Sequence, residues 1–151
     1  MFKMKSDEFF LNEVKRITRK HPVDVVFIDG LHTYKQSLRD AVNSLANLNP
    51  KGTIIFHDCN PPSAKAAQPR LPTEKINWNG DVWKTIFHFR KFPDFFECFT
   101  HDDDQGLGIL TWKKFNKKIL KMITLDNDIQ NLNYEYLNKN RVQALGLGTH
   151  Y

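Results

Sequence analysis

Two apolar runs dominate the pattern along the chain. Val23–Ile28 and Gly52–Phe56 are nearly unbroken strings of β-branched and aromatic residues. Each stops abruptly, the first in Asp29-Gly30-Leu31-His32-Thr33-Tyr34 and the second in His57-Asp58-Cys59-Asn60. Such runs predict strands of a parallel sheet covered on both faces. The acidic and imidazole residues then collect at the carboxyl ends of two strands, the edge where open α/β sheets bind ligands.

Between the runs, Leu38, Ala41, Val42, Leu45 and Ala46 recur at helical spacing and predict a helix over 33–48. Thr33 and Gln36 fit a capping box at its start, and Asn49-Pro50-Lys51-Gly52 stops it and turns the chain. Upstream, Phe10, Val14 and Ile17 mark a helix over 6–20, with Ser6 as its cap and His21-Pro22 as its end.

Downstream of Asp58 the pattern breaks. Residues 60–79 hold four prolines among small and polar residues, which predicts a long irregular loop leaving the ligand edge, either a lid or a plain linker. Trp83, Ile86, Phe87 and Arg90 then mark a helix over 82–91. Two short apolar segments, 95–100 and 107–112, flank Asp102-Asp103-Asp104-Gln105-Gly106 and predict an antiparallel hairpin. The acidic triplet lacks the other oxygen ligands and closing Glu of a calcium loop, so it reads as a turn. Weaker helical signals cover 119–123 and 129–145. We expect an α/β domain over 1–115 and a helical extension over 116–151 that packs on it or on a second subunit.

Composition adds exclusions. The chain has 151 residues, 22 basic against 17 acidic, a net charge of +5. That excess is mild, and the one lysine cluster, Lys113 to Lys121, has no aromatic or arginine interleaving. It reads as a solvated face, so no nucleic-acid partner is expected. Cys59 and Cys98 make neither a disulfide framework nor a metal spacing, which predicts a reduced, cytoplasmic setting. No apolar stretch reaches the length of a membrane span. Cys59 has no evident base and reads as a small buried residue. Tyr34, Trp78 and Trp83 read as packing aromatics.

Taken together, Phe27-Ile28-Asp29-Gly30-Leu31-His32-Thr33-Tyr34, Pro50 through Asp58, Trp78-Asn79-Gly80-Asp81-Val82-Trp83-Lys84 and Asp104-Gln105-Gly106-Leu107-Gly108 resemble the class I S-adenosylmethionine-dependent methyltransferases. Within them the chain resembles the bacterial branch that includes sugar and macrolide O-methyltransferases. The resemblance implies a Rossmann-like sheet of which this chain is the C-terminal half, strands four to seven with flanking helices, the last strand antiparallel. The family's glycine-rich cofactor turn has no counterpart here, since no Gly occurs between Met1 and Ile28.

The resemblance further implies O-methylation of a sugar or small polar acceptor by the full-length form, with this chain inactive alone. The alternative is a non-catalytic half-domain that self-associates or binds a partner chain. By position, Asp29, His57 and Asp58 would hold Mg²⁺ or another divalent cation, while Asp29 and Gly30 would touch the S-adenosylmethionine. An imidazole among the ligands shifts preference toward softer ions. His32 is the general base or a capping residue, and Asn60 contacts substrate or forms an Asx turn. Without strands one to three, Val23–Ile28 becomes an unpaired apolar edge, which predicts a homodimer or a partner chain there.

Overall fold

The computed structural model describes residues 2–73 and 77–148. The chain runs through α1 (Ser6–Asn12), α2 (Val14–Thr18), β1 (Val23–Ile28), α3 (Tyr34–Asn47), β2 (Leu48–Phe56), α4 (Trp83–Arg90), β3 (Phe96–His101) and β4 (Leu107–Trp112). A 3₁₀ turn (Lys117–Lys121), α5 (Asn127–Gln130) and α6 (Tyr134–Leu145) follow. The strands form one mixed sheet in the order β1-β2-β4-β3. β1 and β2 are parallel, and β4 is antiparallel to both β2 and β3. An α/β architecture with flanking helices and an antiparallel last strand is therefore what the sequence folds into, consistent with a partial Rossmann-like methyltransferase sheet.

The covering differs from expectation. Val26, Ile54, Phe56, Leu110, Trp112, Phe96 and Cys98 point to one face and join the core beneath α3 and α4. Their neighbours Val25, Phe27, Thr53, Ile55, Ile109 and Thr111 point to the other face, and none of them is buried. Val25 is 62% and Phe27 56% exposed. Among the described residues, helices pack on one side only. The apolar run of β1 therefore reports its position beside β2, not a double cover. The last residues share the same core, since Ile119, Ile129, Leu137, Ala144 and Leu145 belong to it.

Several local readings shift. The helix expected over 6–20 is two short helices broken at Glu13, whose φ of −113° leaves the helical range. Lys5, not Ser6, occupies the first cap position. Half of the capping box forms: Thr33 accepts from the Gln36 backbone N–H at 3.3 Å. The Gln36 side chain instead turns to Ser6, Asp7 and Asp40. β2 starts at Leu48, with a register shift between the pairs Val23–Leu48 and Val25–Thr53 that absorbs the Asn49–Gly52 turn. The helical signals near the end contract to the 3₁₀ turn and the four-residue α5 ahead of α6. No described helix is long and apolar enough to cross a membrane.

Candidate functional site

The parallel pairing of β1 with β2 places their carboxyl ends side by side. The pairing runs to Ile28–Phe56, and the next step is a hydrogen bond from His57 N–H to the Ile28 carbonyl at 3.1 Å. Asp29 and Asp58 thus leave adjacent strands at one rim. Asp58 takes a left-handed backbone, φ 61°, uncommon outside glycine. Two strand-like bonds hold the chain just beyond it: Cys59 N–H to the Gly106 carbonyl at 2.9 Å and Asn60 N–H to the Gln105 carbonyl at 2.8 Å. The hairpin turn after β3 therefore docks on the end of β2. Gly106 sits so close to Asn60 that a Cβ there would collide with its backbone.

Three expected residues converge. Nε2 of His32 lies 3.3 Å from Asp29 Oδ1 and 3.3 Å from Asp58 Oδ2. One ligand atom from each of the three falls within 4.8 Å of the others. His57 approaches the same two oxygens, its Nδ1 2.9 Å from Asp58 Oδ2 and 3.6 Å from Asp29 Oδ1. Its other nitrogen, Nε2, faces Asp104 Oδ2 at 3.2 Å. Burial works against charging the His57 ring. The hydrogen bond and charge of Asp58, with Asp104 and Asp29 behind, overcome it and hold the pKa above the ordinary imidazole value.

The protonation pattern follows from acceptor chemistry. Nδ1 of His32 lies 2.7 Å from the Trp78 carbonyl. A carbonyl only accepts, so Nδ1 carries the hydrogen, and the Nε2 of a neutral ring is left bare toward the two carboxylates. In the imidazolium Nε2 donates to these carboxylates, and in the neutral ring a cation or an acidic hydroxyl would complete the arrangement. Two carboxylate oxygens suit a divalent cation of the Mg²⁺ or Mn²⁺ type, and the Nε2 beside them can take the proton of a hydroxyl held there. The donor set fits a cation.

The remaining expected residues divide. Gly30 is exposed, with open space where a Cβ would stand. With Asp29 it borders a cleft of about 580 Å³ walled by Phe10, Val26, Phe27 and Leu31. Asn60 is taken up inside the protein. Its amide nitrogen donates to Asp102 and its oxygen accepts from Arg141 of α6, tying the loop to both neighbours. Cys59 is fully buried and its thiol is pushed well up by that burial, which suits a packing residue. Tyr34 is buried too, its hydroxyl 2.6 Å from Nδ1 of His88.

Sequence reasoning missed Asp104, Asn79 and the second role of Trp78. Asp104 passed as one of three turn acids, although its place in the hairpin that follows β2 was a signal. Asn79 and Trp78 come from the proline-rich segment, which is anchored at Ala66 and Ala67: both are buried, and the Ala66 carbonyl accepts from Asn79 and Gly80 N–H. The Trp78 ring stacks on His32 at 5.2 Å. Asn79 Nδ2 donates to Asp58 Oδ1 at 2.9 Å.

The sequence model of a family described as a methyltransferase domain matches residues 1–59. The match spans the β1-α3-β2 unit and ends one residue past Asp58. It supports a methyltransferase domain and suggests use of S-adenosylmethionine. No curated protein and no solved structure matches the chain.

Proposed function

We propose that this chain is the acceptor-activating, C-terminal half of an S-adenosylmethionine-dependent O-methyltransferase acting on a sugar or other small polar hydroxyl compound. The observation that carries the reading is the meeting of Asp29 Oδ1, His32 Nε2 and Asp58 Oδ2 at the carboxyl ends of two adjacent parallel strands. The cleft beside Asp29 has the volume of an ordinary small-molecule site. The matched methyltransferase domain supplies the reaction class.

In this reading Asp29 and Asp58 hold the cation, which when bound would lower the pKa of a coordinated hydroxyl. The bare Nε2 of His32 receives the hydroxyl proton. The Trp78 carbonyl on Nδ1–H steadies the imidazolium that results, because the hydrogen bond strengthens as the ring charges. His57, gripped by Asp58 and Asp104, keeps the Asp58 carboxylate turned to the centre. The described residues do not fit the methyl donor to the same degree. Residues 1–28 contain no glycine and so offer the donor no glycine-rich turn.

The test is a calorimetric titration of Mn²⁺ and then of S-adenosylmethionine into the protein, with Asp58→Asn and His32→Gln beside the wild type. The reading expects Mn²⁺ binding lost in Asp58→Asn and retained in His32→Gln. Loss in both would make His32 a ligand instead of the base, and absence of binding in the wild type would refute the reading. A second reading is a non-catalytic half-domain that pairs with another chain. It is favoured by the open edge of β1, where Val25 and Phe27 stand exposed beside an apolar groove lined by Phe9, Phe10, Val14 and Ile17. Sedimentation showing a dimer that binds neither Mn²⁺ nor cofactor would select it.

A further inference from the structure

The turn from Trp78 to Asp81 touches the centre at more points than any helix does. Its Trp78 carbonyl holds His32 Nδ1 at 2.7 Å, and the Trp78 indole stacks on the same ring. The indole N–H is itself anchored to the Gln68 carbonyl at 2.6 Å. Asn79 is completely buried, 0% exposed, and donates to Asp58 Oδ1. Gly80, φ 64°, lies against the His32 carbonyl, where any Cβ would collide with it. The Asp81 N–H donates to that same carbonyl at 3.2 Å. Asp81 Oδ1 accepts from Tyr34 N–H at 2.7 Å, and Oδ2 is held by the buried Lys84 at 3.1 Å.

One feature of Asn79 separates a positioning role from mere filling. Its Oδ1 is buried and has no hydrogen-bond partner among the described residues. An amide buried with one end unsatisfied is unfavourable, and an apolar residue of the same size would avoid that cost. Its Nδ2 compensates by fixing one oxygen of Asp58, which leaves Oδ2 as the oxygen turned to His32 and His57.

We infer that Asn79 and the Trp78 carbonyl are positioning groups. The first selects which oxygen of Asp58, and the second which nitrogen of His32, is presented to whatever occupies the centre. The inference rests on the proposed role of Asp29, His32 and Asp58, yet part of it is readable without ligand. The Trp78 carbonyl dictates the Nδ1–H tautomer of His32 in the empty protein. Asn79 bonds Asp58 and not His32, so its loss leaves that tautomer alone and weakens cation binding about ten- to hundred-fold, the usual penalty for removing an outer support of a ligand.

The experiment combines long-range ¹H–¹⁵N spectra of the histidine rings at alkaline pH with Mn²⁺ titration of the wild type, Asn79→Leu and Asn79→Ser. Thermal unfolding of each accompanies it. The expected result is an Nδ1–H tautomer for His32 throughout and weakened Mn²⁺ binding in Asn79→Leu at an unchanged melting temperature. Asn79→Ser, which keeps a short donor, should recover part of the affinity, and it carries the test if Asn79→Leu fails to fold. A His32 spectrum of the Nε2–H form would overturn the inference whatever Mn²⁺ does. Full Mn²⁺ affinity in folded Asn79→Leu would overturn it as well. A wild type that binds no Mn²⁺ but shows the Nδ1–H tautomer would sink the proposed function while supporting the Trp78 half of the inference.

Discussion

Ile54 and Ile55 are neighbours in β2 and experience different proteins. Ile54 is wholly buried beneath the helices, whereas Ile55 looks out from the uncovered face between Phe27 and Ile109 of the flanking strands. The same division separates Val26 from Val25 and Leu110 from Ile109. It teaches that stability in this molecule resides on one side of the sheet. The chemistry sits at the rim where the two sides meet: the Phe27 ring of the bare face lies 6.2 Å from His57. The rim combines a left-handed backbone at Asp58 with hydrogen-bonded turns on both flanks.

The sharpest way to break the comparison is to truncate the two isoleucines separately. Ile54→Ala should cost about 2–5 kcal/mol in denaturant unfolding, the range for a buried aliphatic side chain. Ile55→Ala should cost clearly less, and equal losses would show that the outer face is covered in solution. Next in size, Gly80→Ala should lose more than about 2 kcal/mol, since the left-handed backbone and the His32 carbonyl both oppose a Cβ. Third, Phe27→Ser should change monomer stability by no more than about 0.5 kcal/mol, the range of surface substitutions. If a second chain covers β1, the same substitution should instead lower the sedimentation coefficient.

The smallest effects are those of pH, and they run in opposite directions for two histidines. Burial lowers the pKa of His88, on the buried face of α4. Protons then favour the unfolded chain, and this contribution to stability is lost as pH falls below about 6.5. His57 has a raised pKa, so its contribution is present below the ordinary imidazole value and disappears as pH rises through the folded one. Urea midpoints between mildly acid and mildly alkaline pH should lose the acid-side decline in His88→Phe and the alkaline-side decline in His57→Gln.

Much of this was legible from residue order. The two apolar runs, the helix between them and the hairpin each carry a strong local period, and the acids at the strand ends follow from parallel pairing once the strands are named. Which face of the sheet lies bare was not legible, because a strand such as β1 is apolar at nearly every position and its period cannot identify the buried side. The break at Glu13 has no marker in the sequence. The roles of Trp78, Asn79 and Asp104 were hidden for a different reason. They reach the centre through a long proline-rich segment and a tight turn, whose paths depend on tertiary packing and not on periodicity.

The central claim is that Asp29, His32 and Asp58 form one cation-dependent centre. Water-proton relaxation during Mn²⁺ titration tests it most directly, with Asp29→Asn as the control. The account predicts one saturable site per chain in the wild type and its loss in Asp29→Asn. Equal Mn²⁺ binding by the two proteins, or none by either, would contradict it.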